Sequence, residues 1–208
     1  MRKILIAVPC MDMVSARFAQ SLATLKKVED TQIIISFLIG SLIYDSRNKL
    51  AGMALECEAD YILWFDSDMV FPANTLERMI NVLDEHPDID ILSGLYFRRA
   101  TPFTPVLFKK LDTTPAGVEW EEYEGIPDKL FEIAGCGFGG VLMRTDCLLD
   151  MTPGEWFTPI FNAGEDCSFC IKARDKGYNI YCDPSIELGH MGYAPINRAF
   201  YEAMKGNE

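Results

Sequence analysis

The chain has 208 residues, 49% of them hydrophobic, which is ample for one packed core and near the upper size of one ordinary domain. A formal net charge of −12 argues against a protein whose affinity comes from neutralising nucleic-acid phosphates or anionic lipid head groups. A phosphorylated small molecule stays open, with a metal ion supplying the positive charge.

No stretch approaches about 18 uninterrupted apolar residues, so no transmembrane segment is expected. Met1-Arg2-Lys3 leads into a short strand-like run rather than a signal segment, and the expected location is the cytoplasm. Lys3 to Val8 reads as a first strand, stopped by Pro9. Ser15 to Val28 has Phe18, Leu22 and Leu25 at helical spacing, with Lys26 and Lys27 near its end as the helix dipole prefers. Thr31 to Ile39 is almost continuously apolar and reads as a central, parallel strand. Asp45 or Ser46 can cap a helix running to about Cys57, and Tyr61 to Phe65 is a third buried strand. A helix over about Asn74 to Asp84 and a strand over Ile89 to Leu95 complete a β-α-β-α-β-α-β order. That order predicts an α/β, Rossmann-like domain around a doubly wound, mostly parallel sheet, which binds ligands beyond the carboxyl ends of its strands.

The second half changes character. Pro102, Pro105, Pro115 and Pro127 punctuate short strand-like pieces. Val141 to Arg144 resumes as a strand, Glu165 to Lys176 reads as a helix closed by Gly177, and Asn179 to Cys182 as a short strand. The chain therefore divides into residues 1–100, which would bind a nucleotide, and residues 101–208, a small mixed extension for the second substrate.

Seven cysteines scattered through core-like segments fit a reducing compartment better than a disulfide framework. Cys167, Cys170, Cys182 and His190 could together ligate a structural zinc ion. Against this, the first two lie in a helical segment without the Gly-containing knuckle that lets paired thiolates converge.

Asp66-Ser67-Asp68 follows the buried run Tyr61 to Phe65. Alternate residues of an extended segment point the same way, so both carboxylates can approach one metal, or a metal and a ribose hydroxyl; a solvated turn is the plain alternative. Gly135 to Gly140 formally contains G-x-G-x-x-G, but it leads into a strand instead of opening a helix after the first strand, so a dinucleotide site is rejected. A flexible loop near a transferred group fits better. Trp156 could stack on a sugar ring or be a core aromatic, and residues 155–163 could form a lid.

Several segments together resemble the GT-A glycosyltransferases, especially the inverting family 2. These are Ser46-Arg47-Asn48 with Ala51 and Ala54, then Ala59 to Asp68, Gly135 to Arg144, Gly164-Glu165-Asp166 with the helix to Gly177, and Leu188-Gly189-His190. The resemblance spans about residues 3–192 and keeps the order of the motifs. It implies a single GT-A-like domain that transfers a sugar from a nucleotide-sugar to an acceptor hydroxyl, using Mn2+ or Mg2+. Asp68 would bind the metal directly, and Asp66 would reach it through water or hold the ribose. His190, which by its residue context alone reads as structural, becomes a further metal ligand. Pro9, Arg47, Asn48 and Ser67 would line the donor, although Arg47 and Asn48 could simply cap a helix. Asp166 would be the general base and Glu165 its partner, where otherwise both would be read only as acids favouring a first helical turn. Gly137, Phe138 and Trp156 would neighbour the acceptor.

The chain departs from the family after its first strand, where Val8-Pro9-Cys10-Met11-Asp12 replaces an apolar-Pro-x-x-Asn-Glu segment. At the second strand, Ser36 to Ser41 offers no acid to read the base. A UDP-sugar is preferred to a GDP-sugar only because UDP donors are commoner. The short acceptor half suits a small acceptor, or a homo-oligomer or partner that completes the site. Two alternatives remain: a sugar-nucleotide nucleotidyltransferase, disfavoured because Val8 to Phe18 has no glycine and only Arg17 as a base, and a non-catalytic nucleotide-sugar-binding protein with the structural zinc site.

Overall fold

The apolar runs become the strands of one seven-stranded sheet, and the amphipathic segments between them cover its two faces. The computed structural model describes residues 1–40, 42–160, 162–192 and 195–205. The first half contains β1 (Arg2–Cys10), α1 (Ala16–Thr24), β2 (Thr31–Ile39), α2 (Ile43–Glu56), β3 (Tyr61–Phe65), β4 (Met69–Val70), α3 (Thr75–Glu85) and β5 (Ile91–Leu95). Then come β6 (Leu107–Thr114), β7 (Gly117–Glu122), β8 (Phe131–Glu132), β9 (Gly135–Cys136), β10 (Gly140–Arg144) and a 3-10 turn (Thr145–Leu148). The chain continues through α4 (Glu165–Asp175), β11 (Ile180–Glu187), β12 (Gly189–Met191), β13 (Pro195–Ile196) and α5 (Arg198–Lys205).

The strand order is β2-β1-β3-β10-β5-β11-β8. β10 runs antiparallel to both β3 and β5, and β8 is antiparallel to β11; the other five strands share one direction. The two-residue alternation of strands sorts the core into two halves. Leu5, Ala7, Ile62 and Trp64 point to the side of α2 and α4, whereas Ile4, Ile6, Val8, Leu63 and Phe65 point to the side of α1 and α3. Each of the Val, Leu, Ile and Phe side chains among them, fully buried, contributes roughly 1.5–3 kcal/mol.

This topology makes the site. The carboxyl ends of β1, β2, β3 and β5 deliver Cys10, Gly40, Asp66 and Tyr96 to one edge of the sheet. The amino end of the reversed β10 arrives at the same edge, with Gly140 opposite Phe65. After β11 the chain turns into β12, which pairs antiparallel with β4 and sets His190 opposite Met69. The Met191 amide donates to the Asp68 carbonyl at 2.9 Å.

Five expectations need correction. The second helix begins at Ile43 with Leu42 at its N-cap, so Asp45 and Ser46 lie inside it and do not cap it. β2 is parallel but lies at the edge, and most of its second half is exposed. Pro9 does not stop β1: Cys10 accepts from the Gly40 amide, so the polar groups of Cys10 face β2 and the Pro9 nitrogen faces the flank where β3 pairing has already ended at Ala7–Trp64. α1 ends at Thr24, whose hydroxyl bonds back to the Gln20 and Ser21 carbonyls, which leaves Lys26 and Lys27 outside the helix. Residues 135–140 are not a flexible loop; they are wholly buried, with β9 at one end and the start of β10 at the other. Glycine is required there because a Cβ at Gly137 would collide with the Tyr96 hydroxyl and one at Gly140 with Leu188.

Candidate active site

At the carboxyl edge of the sheet lies a cleft of about 330 Å³, walled by Pro9, Gly40, Arg47, Asp66, Ser67, Asp68, Tyr96, Phe138, Glu165, Asp166 and His190 among others. A second hollow of about 480 Å³ adjoins it, with Arg98, Ala100, Val106, Phe108 and Cys167 in its wall. Asp66, Tyr96, Arg99, Asp166 and His190 belong to both. The charged groups are therefore a shared partition between two compartments, the arrangement a transfer between two substrates needs. In the first cleft Asp66, Asp68, Glu165 and Asp166 outnumber Arg47 and Arg99, which favours a cation.

Arg47 organises the first cleft. It stands on the buried stripe of α2 with Leu50, Ala51 and Ala54, and only 2% of it is exposed. One guanidinium nitrogen donates to Asp66 Oδ1 at 2.7 Å and another to Glu165 Oε1 at 3.3 Å. Its carbon sits 5.5–5.9 Å from the ring centres of Trp64, Phe138 and Phe157, an aromatic cage suited to a delocalised cation. Burial works against the charge, but Asp66, Glu165 and Asp166 outweigh it and raise the Arg47 pKa. Among the described residues Arg47 Nη1 is buried without a hydrogen-bond partner, as is the hydroxyl of Ser46 beside it.

Asp68 and His190 meet across the β4–β12 ladder, with Nε2 of the ring 3.5 Å from Asp68 Oδ2. Nδ1 lies 2.9 Å from the Phe97 carbonyl, which can only accept, so Nδ1 carries a proton and Nε2 is the nitrogen turned to Asp68. A histidine whose far nitrogen is anchored on a carbonyl is oriented as metal-ligating histidines are. Arg99 also pairs with the Asp68 carboxylate. Burial pushes the Asp68 carboxyl up, but the hydrogen bond and charge of His190, with Arg99, bring it below its ordinary value. Burial likewise lowers His190, and Asp68 more than reverses this, so the imidazole pKa is raised.

Asp166 is in the first turn of α4, where Gly164 is the N-cap and offers no side chain. Its Oδ1 accepts from the Cys167 amide at 2.7 Å. Burial and the neighbouring Glu165 push its carboxyl up, against the pull of that amide and of Arg47.

The predicted residues separate into two groups. Pro9, Arg47, Asp66, Ser67, Asp68, Phe138, Glu165, Asp166 and His190 come together at the cleft. Asn48 faces elsewhere: its amide accepts from the Phe157 amide at 2.8 Å and donates to the Thr158 hydroxyl at 3.3 Å. Trp156 is buried and donates to the Leu148 carbonyl. Gly137 is packed beneath Tyr96 and Val106. Of the stretch before Asp166, in which residue 161 lies outside the described residues, Glu155 and Thr158 accept from Lys172 through their carbonyls, and the Ile160 amide donates to the Ser168 hydroxyl. The Cys/His zinc grouping does not assemble. Cys170 contacts the Cys136 carbonyl, Cys182 is buried, and His190 is committed to Asp68 and Phe97. Among the described residues no three of His, Cys, Asp or Glu form a ready-made metal cage, the Asp66–Asp68–His190 set included. Asp66 is turned to Arg47, and the protein offers an Asp68–His190 pair.

Tyr96 and Arg99 were not singled out from sequence. Tyr96 is the first residue beyond β5, and its hydroxyl accepts from the Gly139 amide at 3.1 Å. The rule that points to the ends of parallel strands would have found it.

Fold and family comparisons agree with this geometry. The crystal structure of A197 from STIV is similar in fold, with a TM-score of 0.65 and 21% identity over 92% of this chain and 86% of that one. None of the curated proteins matches the chain. Residues 43–145, from the start of α2 to the end of β10, match the model for glycosyl transferase family 2. The fold is thus the GT-A fold, and the family match supports the class of glycosyltransferases. Within that class the chain resembles the family 2 glycosyltransferases, and the matched segment contains Arg47, Asp66 and Asp68. Among the described residues no helix is long and apolar enough to cross a membrane.

Proposed function

We propose that the chain transfers a sugar from a nucleoside-diphosphate sugar to an acceptor hydroxyl, with inversion at the anomeric carbon and with Mn2+ or Mg2+ as cofactor. The observation that supports this reading best is the approach of His190 Nε2 to Asp68, 3.5 Å apart, in an acid-rich cleft that also carries Asp166. A carboxylate and an oriented imidazole are a fitting donor set for a divalent ion, with the donor's diphosphate and water completing it. Held by Asp68 and His190, such an ion would supply positive charge against the leaving nucleoside diphosphate.

The remaining work falls to the chain's own residues. Arg47 holds Asp66 at the end of β3, where its second oxygen is free for a ribose hydroxyl or a water of the ion. The smaller cleft, with Pro9, Gly40 and Ser67, takes the donor, and the hollow beyond Tyr96 takes the acceptor. Asp166, on the wall between them, accepts the proton of the acceptor hydroxyl as the sugar is attacked from its opposite face. Its raised pKa makes it a stronger base than an ordinary aspartate. Glu165 binds Arg47 and so fixes the start of α4 relative to β3. UDP is the preferred nucleotide.

The test is transfer by Asp166→Asn beside the wild type. Donor binding is expected to persist while transfer falls by about 10²–10⁴-fold, the usual worth of a general base. Undiminished transfer would remove Asp166 from that role.

A further inference from the structure

β2 is the edge of the sheet, and among the described residues its only strand partner is β1. The hydrogen bonds from the Gly40 amide to Cys10 and from the Arg2 amide to Asp30 fix the phase: even-numbered residues of β2 turn their backbone groups to β1. Those of Thr31, Ile33, Ile35, Phe37 and Ile39 therefore face outward. Edge strands are ordinarily protected by charge, proline or brevity. This one spans nine residues, Thr-Gln-Ile-Ile-Ile-Ser-Phe-Leu-Ile, with no charged residue and no proline. Ile35, Phe37 and Ile39 are 48%, 43% and 70% exposed, and the flanking Leu42 and Met11 are 54% and 64% exposed. The opposite edge, β8, has only two residues and carries Glu132.

We infer that β2 pairs antiparallel with β2 of a second copy of this chain, joining two sheets about a two-fold axis. Two features select a second copy as the occupant. First, the chain carries a formal charge of −12, so two copies can approach closely only through an uncharged surface, and a partner chosen by charge finds nothing on β2 to pair with. Second, the strand is self-complementary. With Ile35 on the axis, Ile33 falls opposite Phe37 and Ile39 opposite Thr31, and each of these pairs has outward backbone groups on both strands, as a hydrogen-bonded antiparallel pair requires. The five exposed apolar side chains offer roughly 500 Å² per copy, at about 200 Å² for a fully exposed large side chain. Paired backbone adds to this, against about 800 Å² per partner in a stable complex. Because β2 runs directly into Gly40 of the cleft wall, the interface would flank the first cleft of each copy.

The experiment is light scattering with size exclusion on the purified chain at micromolar concentration. The wild type is expected at twice its 23.5 kDa mass, with dimerisation strengthened by added salt as the like charges are screened. Ile35→Lys, which sets two like charges face to face on the axis, is expected at the monomer mass with an unchanged circular dichroism spectrum. Ile35→Cys tests the register separately. Hydrogen-bonded antiparallel partners are about 5.5 Å apart at Cα, within disulfide range, so mild oxidation should give a covalent dimer in Ile35→Cys but not in Gln32→Cys. A monomeric wild type, a dimer indifferent to Ile35→Lys, or equal cross-linking in the two cysteine variants would each overturn the proposal. So would a wild type that stays monomeric yet binds neutral lipid vesicles through this face. None of these readings depends on catalysis.

Discussion

Replacing Arg47 by methionine keeps much of the packing against Trp64, Phe138 and Phe157 and removes the charge between Asp66 and Glu165. Breaking a buried ion pair from one side costs about 3–5 kcal/mol, because the abandoned charge stays where it was. The side chains of Asp66 and Glu165 are 31% and 17% exposed, so water recovers part of that cost and the lower end, about 3 kcal/mol, is expected. With a urea slope of about 2–3 kcal/mol per M, the unfolding midpoint should fall by roughly 1–1.5 M. Arg47→Lys keeps the charge without the fork and should lose less than half as much. The pH dependence is the sharper signature. Asp166 is raised by burial and by Glu165 while Arg47 pulls it down, so losing Arg47 lifts it further. An acid raised in the folded state contributes stability that is fully present below its unfolded pKa and lost as pH rises through its folded one. The damage in Arg47→Met should therefore be greater at about pH 8 than at about pH 5. A midpoint shift under about 0.3 M, equal at both pH values, would refute the claim that this guanidinium holds the two acids in place.

Asn48→Ala leaves the buried Phe157 amide without its acceptor, which should cost about 1–3 kcal/mol and speed hydrogen exchange over residues 155–160. Donor affinity should change little; a specific loss of nucleotide binding at unchanged stability would return Asn48 to the donor site. In the metal-free protein the raised His190 pKa contributes stability that is complete below the ordinary histidine value and lost as pH rises through the folded one. A metal needs the neutral ring, so Mn2+ affinity measured by calorimetry should rise with pH over that range with proton release, and His190→Gln should abolish the dependence.

Much of the first cleft was legible because strand ends are legible. The run from Tyr61 to Phe65 is too apolar to be anything but buried, and whatever follows it must emerge at the sheet's carboxyl edge. Arg47 carried a stronger signal than its reading as a cap. At the same helical face as Leu50, Ala51 and Ala54, an arginine occupies a core position and must have buried acids as partners; Asp66 and Glu165 are those acids. The edge position of β2 was not legible, since an apolar run describes a strand covered by neighbours and one awaiting a partner equally well. Asn48 and Trp156 were misplaced for the converse reason: polar and aromatic side chains serve to fasten a segment as readily as to bind a ligand. Arg99 lies on the path between β5 and β6, and nothing in local pattern says that this path returns to Asp68.

The most direct test of the account is calorimetric titration of UDP and GDP into the chain with Mn2+ and with chelator, for the wild type and Asp68→Ala. One nucleoside diphosphate is expected to bind the wild type with Mn2+, and to weaken at least about tenfold, or 1.4 kcal/mol, when either the metal or the Asp68 carboxylate is removed. Affinity that is the same in chelator, and the same in Asp68→Ala, would contradict a metal-dependent donor site at Asp68 and His190.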